Sequence, residues 1–134
     1  MYFLNFGGPT RFDPALGSIY VYAENPAVFR CPADRANAGD SYATNALLSR
    51  PTSVAGFYAG IAEASIASSS STLLFLEEAA PETTNDSYFD PKNDRSTGRH
   101  KQGANFAFCD GHVNYFKTNL IKFPNPNGDP RFEL

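Results

Sequence analysis

The sequence has no tryptophan, one methionine and only two cysteines. It also has no run of lysine or arginine, and its formal net charge is −3. A nucleic-acid binder usually carries a basic face, so nucleic acid is not an expected partner. The longest apolar runs, such as Leu73–Leu76, are far too short to span a bilayer. No secretory signal reads from the start, because Tyr2, Phe3 and Leu4 meet Asn5, Gly7, Gly8 and Pro9 at once. Cys31 and Cys109 lie far apart with no Cys-x-x-Cys, which excludes a zinc ribbon and a thioredoxin-like site. There is no Gly-x-Ser-x-Gly elbow and no glycine-rich phosphate loop, so nucleophilic and phosphoryl-transfer chemistry have little support.

What is present points to a small sheet. A chain of 134 residues has room for one core, so residues 1–134 are read as a single domain. Hydrophobic residues at 42% and charged residues at 19% argue against disorder. Ten glycines, ten prolines and aromatics drawn only from Tyr and Phe suit short strands joined by many turns. The expected class is α+β, dominated by an antiparallel sheet, with short helical turns and long loops. Strands are expected near 27–31, 41–46, 72–77, 104–110 and 112–117. Residues 16–22 suit one or two helical turns. Residues 50–60 and 80–99 read as loops, and 1–14 and 119–134 as irregular. Asp110-Gly111 is the strongest hairpin signal, since both central positions of a type I′ turn need positive φ.

The two cysteines admit two readings. One disulfide would constrain the unfolded chain by about 4–5 kcal/mol. Separate buried thiols are the expectation, because Cys109 sits within an apolar strand pattern and nothing fixes Cys31 beside it.

Four segments, in order, carry a resemblance. They are Val28-Phe29-Arg30-Cys31-Pro32-Ala33-Asp34, Ser41-Tyr42-Ala43-Thr44-Asn45, the apolar run Thr72–Glu78, and His100, nine residues, then Asp110-Gly111-His112. This pattern, over about residues 16–118, resembles the bacterial prepilin-type processing-associated proteins with a His–nine–Asp-Gly motif. These in turn resemble type II secretion pseudopilins and type IV pilins. The resemblance implies a pseudopilin-like globular head without the family's leader and long apolar helix. It further implies export to the periplasm or cell surface, inner-membrane anchoring through that helix alone, and partners that are second copies or other pseudopilin-like subunits. The implied role is structural and non-catalytic. The motif positions are Cys31, Pro32, Asp34, Tyr42, Asn45, His100, Asn105, Asp110, Gly111 and His112.

The residue chemistry allows more than one role. The favoured reading makes the motif a folding staple. Asp110 would be buried and accept backbone N–H bonds in its turn, and His100 would pair with a carboxylate to hold the Lys101–Gly103 loop at the hairpin base. A second reading makes His100, Asp110 and His112, completed by Glu77 or Glu78 from the neighbouring strand, a zinc-type ligand set, serving either a metal-binding module or a metal-dependent enzyme. A third places calcium among Asp86, Asp90, Asn93 and Asp94, though the EF-hand spacing is absent. Aromatics such as Tyr2, Phe3, Phe6, Tyr20, Tyr22, Phe57 and Tyr58 exceed what a small core must bury. They favour self-association, or glycan binding as the alternative.

Overall fold

The structure, a computed structural model, describes residues 15, 19–35, 40–53, 58–78, 88–90 and 94–117. These build a five-stranded mixed sheet and a separate two-stranded hairpin. The strands are β1 (Tyr42–Asn45), β2 (Ser49–Pro51), β3 (Tyr58–Gly60), β4 (Leu73–Glu77), β5 (Tyr88–Phe89), β6 (Gly103–Phe108) and β7 (Val113–Lys117). The large sheet runs β5-β1-β4-β6-β7, and β2 pairs with β3. A short helix, α1, covers Tyr20–Ala23. Among the described residues, no helix is long and apolar enough to cross a membrane.

The α+β class holds, but the sheet is not wholly antiparallel. β5 joins β1 in parallel, with Asn45 opposite Phe89. The expected 80–99 loop hides this strand because two residues are too short for any period to show. Phe89 is nevertheless fully buried. The hairpin β2–β3 likewise falls on the expected 50–60 loop, beginning one residue before it at Ser49.

Residues 27–31 are not a strand. Pro26–Phe29 form a 3-10 turn capped by Asn25, whose side chain accepts from the Ala27 N–H at 3.0 Å. Proline at the first helical position and an Asn cap favour that turn over extended chain. The expected strands at 41–46, 72–77, 104–110 and 112–117 are present, each trimmed at one or both ends.

Strand alternation sorts the side chains onto two faces. One face holds the apolar core of Ala43, Leu73, Leu76, Phe89, Ala104, Phe106 and Phe108, with Phe116 packed against it. Leu73 and Leu76 are three apart, yet both reach the core. The register of β4 on β6 shifts between Leu73 and Phe75, and such a bulge restores the alternation. The opposite face carries Tyr42 and its partner Glu77, with Asn105 and its partner Tyr115.

The positive-φ turn is not where Asp110-Gly111 suggests. β6 and β7 are joined by Cys109-Asp110-Gly111, with the Gly111 N–H donating to the Phe108 carbonyl and the Phe108 N–H to that of His112, each at 2.9 Å. Gly111 has φ +89, while Asp110 is not among the positive-φ residues. This is the three-residue loop that ends in a left-handed glycine. The two-residue tight turn lies instead at Lys101-Gln102, with φ +51 and +66. There the backbones of His100 and Gly103 exchange both hydrogen bonds, at 3.1 and 2.9 Å. The Tyr115 ring crosses Gly103 and its hydroxyl donates to the Lys101 carbonyl at 3.0 Å. The Lys101–Gly103 loop is thus held at the base of the β6–β7 hairpin, as expected.

Two outcomes follow from this turn. Lys101→Asn with Gln102→Gly relieves left-handed strain and should raise stability by about 1 kcal/mol in urea denaturation. Gly103→Ala should lower it by about 2 kcal/mol or more, because a Cβ there would clash with the Phe116 carbonyl oxygen and the Tyr115 ring.

Candidate functional site

The polar face of the sheet meets two short backbone devices. The first is the turn Cys31-Pro32-Ala33-Asp34, closed by the Asp34 N–H donating to the Cys31 carbonyl at 2.9 Å. Pro32 pre-sets the backbone at the second position of that turn. The second is the tight turn at Lys101-Gln102, which fixes the preceding pair Arg99-His100. Each device contributes two side chains, and these meet in pairs. Arg99 Nη1 lies 2.7 Å from Asp34 Oδ2, and His100 Nε2 lies 3.3 Å from Cys31 Sγ.

Ser41 locks the first device to the sheet. Its hydroxyl accepts from the Cys31 N–H at 3.0 Å and donates to Asp34 Oδ2 at 2.7 Å. Its backbone N–H donates to the Phe29 carbonyl, and its carbonyl accepts from the Glu78 N–H. Arg99 locks the second. It donates through Nε to Thr97 Oγ1 at 3.0 Å and through Nη2 to the Glu78 carbonyl.

Glu77 lies at the centre and is only 1% exposed. Its Oε2 accepts from the Asn105 backbone N–H at 2.9 Å and from the Asn105 amide at 3.4 Å. Its Oε1 sits 2.7 Å from His100 Nε2. The sulfur of Cys31, the Nε2 of His100 and a carboxylate oxygen of Glu77 all lie within 4.8 Å of one another. Tyr42 stands opposite Glu77, and its phenol is pushed above its usual range by burial first, then by the nearby Cys31 and Glu77.

Cysteine, histidine and carboxylate together suggest a nucleophile, a base and an orienting group. That relay uses the two ring nitrogens separately, one toward the nucleophile and one toward the carboxylate. Here both contacts fall on Nε2, and the thiol is only 2% exposed. The arrangement is a convergence on one point, not a relay.

The other expected site residues are distributed differently. Asn45 ties β1 to β4 by donating to the Leu73 carbonyl at 3.0 Å, and its Oδ1 caps the next turn at the Leu47 N–H. Asp110 is exposed, not buried. It accepts from the His112 N–H at 3.1 Å and pairs with His112 Nδ1 at 2.6 Å. The His112 ring also stacks on Phe108, with centroids 4.3 Å apart.

His100, Asp110, His112 and Glu78 therefore do not form one ligand set. His100 enters β6 while Asp110 and His112 leave it, and six strand residues separate them by about 20 Å. Glu78 is fully buried but is not one of the three groups converging around His100. Of the expected calcium loop, Asp86 and Asn93 lie outside the described residues. Asp94 uses its carboxylate on the Asp90 N–H at 2.6 Å. Cys31 and Cys109 are both free thiols, with Cys31 buried as expected and Cys109 only partly buried. Burial raises the Cys109 thiol, with Asp110 adding to the effect.

Cys31, Asp34, His100 and Asn105 were legible as motif positions. Ser41 and Glu77 lie inside the motif segments and Arg99 beside the motif histidine, but the role of Glu77 as the central carboxylate and those of Ser41 and Arg99 as ties to Asp34 do not read from the pattern. The signal for Glu77 was an acid closing the clearest buried strand, which needs a partner on the facing segment.

The two ion pairs should separate cleanly in denaturation. Asp34→Ala strands a buried guanidinium and should cost about 3 kcal/mol, whereas His112→Ala at the exposed pair should cost far less. Asp110 is held below its ordinary 3.8, first by the His112 side chain and then by the His112 backbone. The folded value is the lower one, so this pair supports the fold above about pH 4 and is lost as pH falls through the lowered value. NMR titration of the Asp110 carboxyl should show a midpoint below 3.8 that rises in His112→Ala.

No family model, curated protein or solved structure matches this chain.

Proposed function

We propose that this domain is the folded head of an exported, pseudopilin-like structural subunit, non-catalytic in itself, which acts in a secretion or pilus-like assembly. One observation carries the reading. The Asp34 carboxylate and the backbone of the Cys31-Pro32-Ala33-Asp34 turn are spent on Ser41, on Arg99 and on the turn itself, and Arg99 also reaches the Glu78 carbonyl. A motif used in this way specifies a fold. It brings the turn and the loop onto β4 and β6 and leaves the outer surface to make contacts.

The outer surface suits that role. Tyr22 is 87% exposed, and Val21, Val28, Val113 and Tyr115 are also exposed. Large apolar side chains left in water favour contact with another protein surface. The partners in this reading are second copies or related subunits, and the membrane is met only through a helix that the family pattern places before the head.

The test is to read the gene upstream of the Met1 codon and follow the tagged full-length product. The expected result is an in-frame basic leader followed by about 20 apolar residues, and a product that fractionates with the inner membrane. A stop codon directly upstream, with product found only in the cytoplasm, would overturn the reading.

A further inference from the structure

We infer that Cys31, Glu77 and His100 form a binding site for a zinc-type divalent ion, with three protein ligands and one position open to solvent. Proton counting at His100 Nε2 leaves one of its two contacts unmet. His100 Nε2 faces Glu77 Oε1 at 2.7 Å and Cys31 Sγ at 3.3 Å. A ring nitrogen carries either a proton or a lone pair. With a proton it donates to the carboxylate and offers nothing to the thiol hydrogen. With a lone pair it accepts from the thiol and faces the carboxylate oxygen as one acceptor against another. A cation between the three atoms satisfies all of them at once.

The dimensions fit. Zinc bonds of about 2.0–2.3 Å in a tetrahedron put neighbouring ligand atoms roughly 3.2–3.6 Å apart. The sulfur–nitrogen separation of 3.3 Å already has that size, the carboxylate oxygen needs to withdraw from Nε2 by about half an ångström, and the sulfur and that oxygen lie within 4.8 Å of each other. Glu77 is built for one-oxygen ligation, because Oε2 is held by the Asn105 N–H and Oε1 is the oxygen facing His100. The donor set of thiolate, imidazole and carboxylate is a zinc set, too soft for magnesium or calcium.

The surroundings fit as well. One thiolate and one carboxylate balance a doubly charged ion, and the thiol proton leaves to solvent on binding. The adjacent Arg99 charge is already offset by Asp34. Ser41 orients Cys31 through its backbone N–H, and Asn105 orients Glu77. Such outer contacts hold ligands in place before the ion arrives. Cys31 and Glu77 are buried, whereas the His100 side chain is 31% exposed, so the ion's fourth position faces water on the histidine side. The inference does not depend on the structural role proposed above.

The test is metal titration of the full chain with Co2+ and Zn2+. The expected result is one ion per chain, with thiolate-to-cobalt absorption that Zn2+ bleaches. Cys31→Ser should abolish that absorption, and Glu77→Gln should weaken binding about 10- to 100-fold. Cys109→Ser and His112→Ala should leave binding unchanged. In case Cys31→Ser fails to fold, alkylation of Cys31 is followed in the Cys109→Ser protein. Zn2+ should slow it at least tenfold and Mg2+ should not. No stoichiometric binding, binding that disappears in Cys109→Ser or His112→Ala, or alkylation indifferent to Zn2+ would overturn the inference.

Discussion

A carboxylate in the middle of a sheet has to be satisfied, and Glu77 sets that requirement here. It sits on β4, the central strand, and is almost wholly removed from water. Burying an unpaired charge costs far more than a small domain has to spare. Asn105 from the neighbouring strand answers one oxygen, and His100 answers the other. His100 can do so only if the chain folds back before β6, which it does through two residues in left-handed conformation. That reversal also brings Arg99 to Asp34, and with it the turn that holds Cys31. The site and the tertiary arrangement are thus consequences of one buried acid.

The two faces of the sheet divide the work. The core face is conventional, with Ala43, Leu76 and Phe106 aligned across three strands. The opposite face is held by specific polar contacts between distant parts of the chain. An apolar core tolerates exchange of similar residues, whereas a satisfied polar network does not, because losing one member strands another. The polar face therefore fixes which arrangement the loops adopt.

Much of the sheet was readable in the residues. The run Leu73–Glu77 and the hairpin after Gly103 show in apolar patterning alone. The elements missed were those with too few residues to show a period, such as Tyr88–Phe89, and the turn at 26–29, where Pro26 and the Asn25 cap outweighed a strand-like composition. The tight turn escaped notice because Lys and Gln rarely take positive φ, and only the closing contacts of His100, Gly103 and Tyr115 impose it. The site was half legible. Cys31, Asp34 and His100 could be marked by pattern, but no spacing relates residue 31 to residues 77 and 100. Their meeting is set by strand order, which a single sequence does not display.

The enclosure of Cys31 has a kinetic side. Its sulfur meets groups from segments 46 and 69 residues further along the chain. Contacts that close such long loops form late and carry a large entropic cost. Among the described residues, the neighbours of Cys31 come from one turn, one loop and the sheet, and a turn and a loop can lift while the strands remain paired. A shielded thiol in this position acts as a seal. Its exposure marks the opening of the polar face.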